Sequence, residues 1–87
     1  MVLARGDGEA GGILVLTLDR GEDPHFWERG IGPAGDSALV AAGPAAIEDA
    51  QEVAAYWQRR RSRDPDLWVV ELDVADAQRF AAETMLS

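Results

Sequence analysis

Apolar residues along this chain follow two different rhythms, and the change between them divides the sequence in half. In the first half the apolar runs are short, rich in branched residues and broken by glycine and proline. Residues 13–19, ILVLTLD, predict a strand on that basis. Residues 2–4, VLA, predict a shorter one. Between them lies RGDGEAGG, with glycine at four of its eight positions, which predicts a loop across which the two strands pair as a hairpin. RGEDP, residues 20–24, predicts a turn, and HFWERGI, residues 25–31, a short strand. Its alternation puts Phe26, Glu28 and Gly30 on one side and Trp27, Arg29 and Ile31 on the other. GPAGD then turns the chain, and SALVAA, residues 37–42, predicts a further strand.

Beyond residue 43 the spacing becomes helical. Pro44 suits a first helical position, and Ile47, Ala50, Val53, Ala54 and Trp57 form a stripe at helical intervals. Asp64-Pro65 halts that helix, because the residue before proline is pushed out of the α region. LWVVEL, residues 67–72, predicts a strand with Leu67, Val69 and Glu71 on one face and Trp68, Val70 and Leu72 on the other. With both faces apolar, it is expected to be an interior strand covered on each side, or one whose second face meets another copy. Asp73 is placed to cap a last helix carrying Val74, Ala77, Phe80, Ala81 and Met85 on one face. The order predicts a single small α+β domain over residues 1–87, with a mostly antiparallel sheet and two helices packed on one face.

Composition narrows the chemistry. The formal net charge is −8, a field that repels nucleic acid and anionic membrane, so neither is expected as a partner. All eight basic residues are arginine, which removes Schiff-base lysine chemistry and a phosphate-loop lysine. There is no cysteine, hence no disulfide, thiol nucleophile or thiolate metal site. No signal-peptide pattern or long apolar run is visible, and the expected location is cytoplasmic. No cofactor or metal is expected: a zinc site would have to combine His25, the single histidine, with carboxylates alone.

The most site-like stretch is RRRSRDPDLWVVELD, residues 59–73. An anion could be held by Arg59, Arg60, Arg61 and Arg63. Yet acidic Glu48, Asp49 and Glu52 at the front of the helix and arginines at its rear both complement the helix dipole, which explains the two ends together. Asp64, Pro65, Asp66 and Trp68 are therefore first a structural junction between helix and strand. The spacing G-x-G-x-x-G occurs at residues 6–11, but a strand rather than a helix follows it, and Asp7 and Glu9 would repel a phosphate. Arg61, Glu71 and His25 remain as candidate ligand-binding residues, without a catalytic set around them. Trp27 and Trp68 are candidate interface residues, since a domain of this size has difficulty burying every tryptophan.

Two motifs carry a family resemblance. RGDGEAGGILVL, followed well downstream by RRSRDPDLWVVELD, is similar to the small bacterial family known as domain of unknown function 1491, over most of the chain. The second motif is the more specific one, with residues 64–71, DPDLWVVE, all matching. The resemblance implies a further helix ahead of the first motif, and this sequence starts almost at that motif. It implies no activity, cofactor or substrate, only that DPDLWVVE is a joint the fold reuses. The leading expectation is a non-enzymatic protein-interaction module that meets a protein partner or itself, a homodimer included. The alternatives are a small-ligand binder or enzyme around Glu71, Arg61 and His25, and an acidic mimic that occupies a basic, nucleic-acid-binding partner.

Overall fold

Five strands join into one sheet in the computed structural model, which describes residues 1–8, 11–44 and 47–86. Along the chain come β1 (Val2–Ala4), β2 (Ile13–Asp19), β3 (Glu22–Ile31), β4 (Ser37–Ala42), α1 (Ala50–Arg63), β5 (Trp68–Asp73) and α2 (Ala77–Leu86). Across the sheet the order is β1-β5-β2-β3-β4. β5 runs parallel to β2, and the other three pairings are antiparallel. The fold is thus α+β with a mixed, mostly antiparallel sheet and two helices, as expected.

The expected β1–β2 hairpin does not form. β5 inserts between the two strands, with Val2 opposite Val70 on one side and Ile13 opposite Trp68 on the other. The reason lies in β5 itself: a strand apolar on both faces gains most from an interior position, while three-residue β1 is long enough only for an edge. The tight turn is instead between β2 and β3. Arg20 and Gly21 have φ of 53° and 76°, the left-handed pair that a two-residue hairpin turn requires. Asp23, at φ 54°, marks a bulge where the register shifts between Thr17 and Asp19. β3 accordingly starts at Glu22, earlier than the expected residue 25.

The helices lie on opposite faces of the sheet, where one shared face was expected. Leu14, Val15, Leu16 and Thr17 of β2 are all buried, so both faces need cover. On one side Leu14, Leu16, Phe26 and Val69 form a core with Ile47 and Leu67, against which Val53, Tyr56 and Trp57 of α1 pack. The Phe26 and Tyr56 rings meet with centroids 4.6 Å apart. The other side carries Val15, Thr17 and Trp27, and there α2 packs through buried Ala77 and Ala81. Alanines let that helix approach the sheet closely.

Both helices begin later than the sequence pattern suggests. α1 starts at Ala50 rather than Pro44, because Asp49 caps it and Glu52 reaches back to the chain just ahead of that cap. The Glu52 amide donates to Asp49 Oδ1 at 2.8 Å, and the Glu48 amide donates to Glu52 Oε2 at 3.3 Å. Its C-terminus behaves as expected, with Asp64 N–H closing on the Arg60 carbonyl at 3.0 Å. Asp73 is the last residue of β5 and lies four positions ahead of the first residue of α2, which follows Asp76, whose φ is 53°. Ala77 and Ala81 are buried as expected, Val74 and Phe80 are half-exposed, and the Met85 side chain is outside the described set.

Candidate functional site

The two sequence motifs meet in space. The loop after β1 folds over the joint between α1 and β5, so RGDG lies directly against DPDLW. The Asp7 amide donates to the Asp66 carbonyl at 3.0 Å, and the Trp68 amide to the Gly12 carbonyl at 2.9 Å. The Trp68 indole Nε1 reaches the Asp7 carbonyl at 3.1 Å. Arg61 completes the clasp: its Nη1 donates to the carbonyls of Arg5 (3.0 Å), Pro65 and, more weakly, Leu67 (3.5 Å). Leu67 N–H turns back to the Asp64 carbonyl at 3.1 Å. The glycines are needed for proximity: a Cβ on Gly6 or on Gly11 would lie 1.9 Å from the Asp66 carbonyl oxygen.

This geometry separates the three candidate ligand-binding residues. Arg61 is occupied with backbone carbonyls at the start of β5. Glu71 stands on the α1 face, opposite Leu16. His25 stands on the α2 face, where its Nε2 meets Asp23 Oδ1 at 3.1 Å in an exposed pair. No two of them converge on one hollow.

His25 does border a concavity of about 720 Å³ near the ends of β2 and β5 where α2 begins. Thr17, Trp27, Asp19, Asp76 and Arg79 line it too, and none of these five was singled out from the sequence except Trp27. They come from three separate segments that only the sheet order brings together. Trp27 Nε1 donates to Thr17 Oγ1 at 2.9 Å, and that hydroxyl donates to the His25 carbonyl at 3.4 Å. Thr17 is therefore engaged as both donor and acceptor and is not poised as a nucleophile. Arg79 pairs with Glu83 at 3.2 Å. Among the described residues no group of three or more His, Asp or Glu is arranged to hold a metal ion.

The remaining arginine with a buried role is Arg60. Its Nη2 meets Glu28 Oε2 at 2.8 Å and its Nη1 donates to Tyr56 Oη at 2.9 Å, tying α1 to β3. The hydrogen bond to Glu28 raises the guanidinium pKa above its ordinary value, against a smaller opposing effect of burial.

The candidate interface tryptophans lie on the α2 face. Trp27 is half-buried beside the hollow. Trp68 belongs to a band on β1, β5 and β2: Val2 beside Val70, and Trp68 beside Ile13. Val2 is 49% exposed and Ile13 41% exposed, and Trp68 and Val70 are only half-buried. The apolar second face of β5 is therefore incompletely covered within the chain. No described helix is long and apolar enough to cross a membrane.

Fold and site together define a small α+β domain whose most specific motif is a structural clasp, with no assembled catalytic set among the described residues. The sequence matches, over residues 1–82, the family model described as Protein of unknown function (DUF1491), and the chain belongs to that family. It is similar to the crystal structure of a DUF1491 family protein from Caulobacter crescentus CB15, with 30% identity and a TM-score of 0.72, over 92% of this chain and 74% of that one. An NMR structure of a DUF1491 family protein from the same organism matches with 28% identity and a TM-score of 0.66, over 88% of this chain and 69% of that one. No curated protein matches the sequence.

Proposed function

We propose that this domain acts by protein contact and that its first partner is a second copy of itself, docked through the band formed by Val2, Ile13, Trp68 and Val70. The observation that carries this reading is the exposure of Val2 and Ile13 beside half-buried Trp68, on a face of β5 that is as apolar as its covered face. None of the four side chains is charged, so two copies can meet there without desolvating an ion. A tryptophan at the centre of such a band is the kind of anchor that dominates contact energies.

Sedimentation over a range of protein concentrations tests it. The net charge of −8 makes two copies repel, so added salt should strengthen association by screening that repulsion. Ile13→Arg places a charge in the band at an exposed position and should abolish the dimer while leaving the fold intact. A chain that stays monomeric at all concentrations and salt levels refutes self-association.

A second reading has one observation behind it, the hollow beside His25 and Trp27. Ligand binding there would give amide NMR shifts confined to Thr17, His25 and Trp27 in a screen of small polar fragments, and a flat response removes it.

A further inference from the structure

The opposite face of the sheet carries a second surface of different chemistry. A groove of about 370 Å³ runs between the β2–β3 turn and the start of α1. Its floor is apolar, made by Leu16, Leu18, Ile47 and Val53. Its rim is acidic, with Glu22, Asp23, Glu48, Asp49 and Glu71, and no arginine lines it.

Two of those carboxylates have work within the chain: Asp49 caps α1, and Asp23 pairs with His25. Among the described residues no side-chain partner accounts for the carboxylates of Glu22, Glu48 or Glu71. Glu71 is the informative one. It is half-buried on an interior strand and its neighbour across the ladder is Leu16; the N-terminal ammonium of Met1 donates to its backbone carbonyl at 2.7 Å, and no cationic side chain lines the groove around its carboxylate. A carboxylate held among apolar side chains gains when a cation arrives. The arginines of α1 lie in the rear half of that helix, about 14–20 Å from its start at 1.5 Å per residue. An apolar floor and an acidic rim with no cationic side chain in its lining thus call for one kind of occupant.

We propose that this groove receives a basic segment of a partner protein, one apolar side chain entering between Leu18 and Val53 and flanking Arg or Lys side chains meeting Glu71 and Glu48. The overall negative field of the chain steers such a segment inward. This surface is separate from the Trp68 band: it lies on the other face, and its salt dependence has the opposite sign.

The test uses the full chain and short labelled peptides read by fluorescence anisotropy. The parent peptide has a leucine flanked on each side by arginines; one comparator replaces the leucine by alanine, another replaces the arginines by glutamine. The parent should bind and weaken as salt rises past the range where the screening length falls below about 10 Å. Glu71→Gln should lower its affinity about three- to fivefold, and the pair Glu48→Gln with Glu71→Gln further still. Neither carboxylate has a side-chain partner among the described residues, so both variants should keep the wild-type circular dichroism spectrum. The alanine comparator should bind several-fold more weakly and the glutamine comparator not at all. The assignment is overturned by no binding of the parent, by equal binding of the alanine comparator (diffuse charge attraction), or by affinity unchanged in both glutamate variants. Self-association of the chain alone that disappears in Glu71→Gln would overturn it in favour of a second copy as occupant.

Discussion

Replacing Gly6 by alanine tests whether the clasp between the two motifs organises the fold. A Cβ at this position would lie 1.9 Å from the Asp66 carbonyl oxygen, 2.6 Å from the carbon of the same carbonyl and 2.7 Å from the Leu67 carbonyl carbon. All three are backbone atoms, so no rotamer change relieves the clash. Loop and junction must separate by about 1 Å or more before the contact becomes tolerable. That movement breaks or stretches the Asp7-to-Asp66 amide bond of 3.0 Å and the Trp68-to-Asp7 indole bond of 3.1 Å. Each such bond contributes about 0.5–1.5 kcal/mol net, and forced backbone shifts cost about 1–3 kcal/mol, so the expected loss is about 2–5 kcal/mol. Against a total of about 4–13 kcal/mol for a chain of this length, this is a large fraction. In urea, with a slope of about 1 kcal/mol per molar for so small a protein, the midpoint should drop by about 2 M or more. Gly8→Ala is the internal control. It lies in the same loop with no heavy atom within 4 Å of its would-be Cβ and no positive φ, so its midpoint should hold or rise slightly. Equal midpoints for the two variants would show that the clasp does not hold the fold together.

Two further substitutions probe the two faces of the sheet. Arg60→Met removes the tie to Glu28 and Tyr56 and should cost about 1–2 kcal/mol by urea denaturation. The folded pKa of Arg60 is raised, so its stabilisation is whole below the unfolded value and fades only as pH climbs through the folded one. Both values lie above the working range, so the gap between wild type and variant should stay constant from about pH 7 to about pH 10; a gap that closes in that window contradicts the assignment. Thr17→Val leaves the Trp27 indole N–H without its acceptor in a largely covered site. A loss of about 1–2 kcal/mol with altered tryptophan emission is expected, and an unchanged midpoint would mean that water replaces the hydroxyl at no cost.

Strands were legible in the sequence wherever alternation or a dense branched run decided the matter. β4 falls on its expected residues, β5 is displaced by one, and the side assignments of Phe26 and Trp27 hold. What local pattern could not convey was partnership. β1 and β2 are adjacent in sequence across a glycine-rich loop, which resembles a hairpin, yet the two apolar faces of β5 outbid that proximity and place it between them. Helix starts were misplaced for a related reason. Pro44 and Asp73 are acceptable helix-start residues by propensity, but α1 follows the Asp49 cap on the Glu52 amide and α2 follows the left-handed Asp76. The hollow beside His25 was invisible because Thr17, Trp27 and Asp76 come from segments whose proximity is created by the sheet order alone.

The arginine-rich stretch that most resembled a site shows why motif strength and function part company here. Arg61 turns its Nη1 to three backbone carbonyls, Arg60 reaches Glu28 and Tyr56, and the Trp68 indole donates to the Asp7 carbonyl. DPDLWVVE and RGDG are specific because two backbone segments must pass within contact distance there, a demand that admits very few residues at Gly6, Gly11 and Arg61. A surface that binds through an apolar band or an acidic groove makes weaker local demands: Val2, Ile13, Glu22 and Glu48 are ordinary residues at ordinary spacings. Such surfaces become visible only once the topology sets Val2 beside Val70 and turns Glu71 toward the start of α1. In this fold the search for function therefore leads away from the strongest motif, to the two faces of the strand that the motif launches.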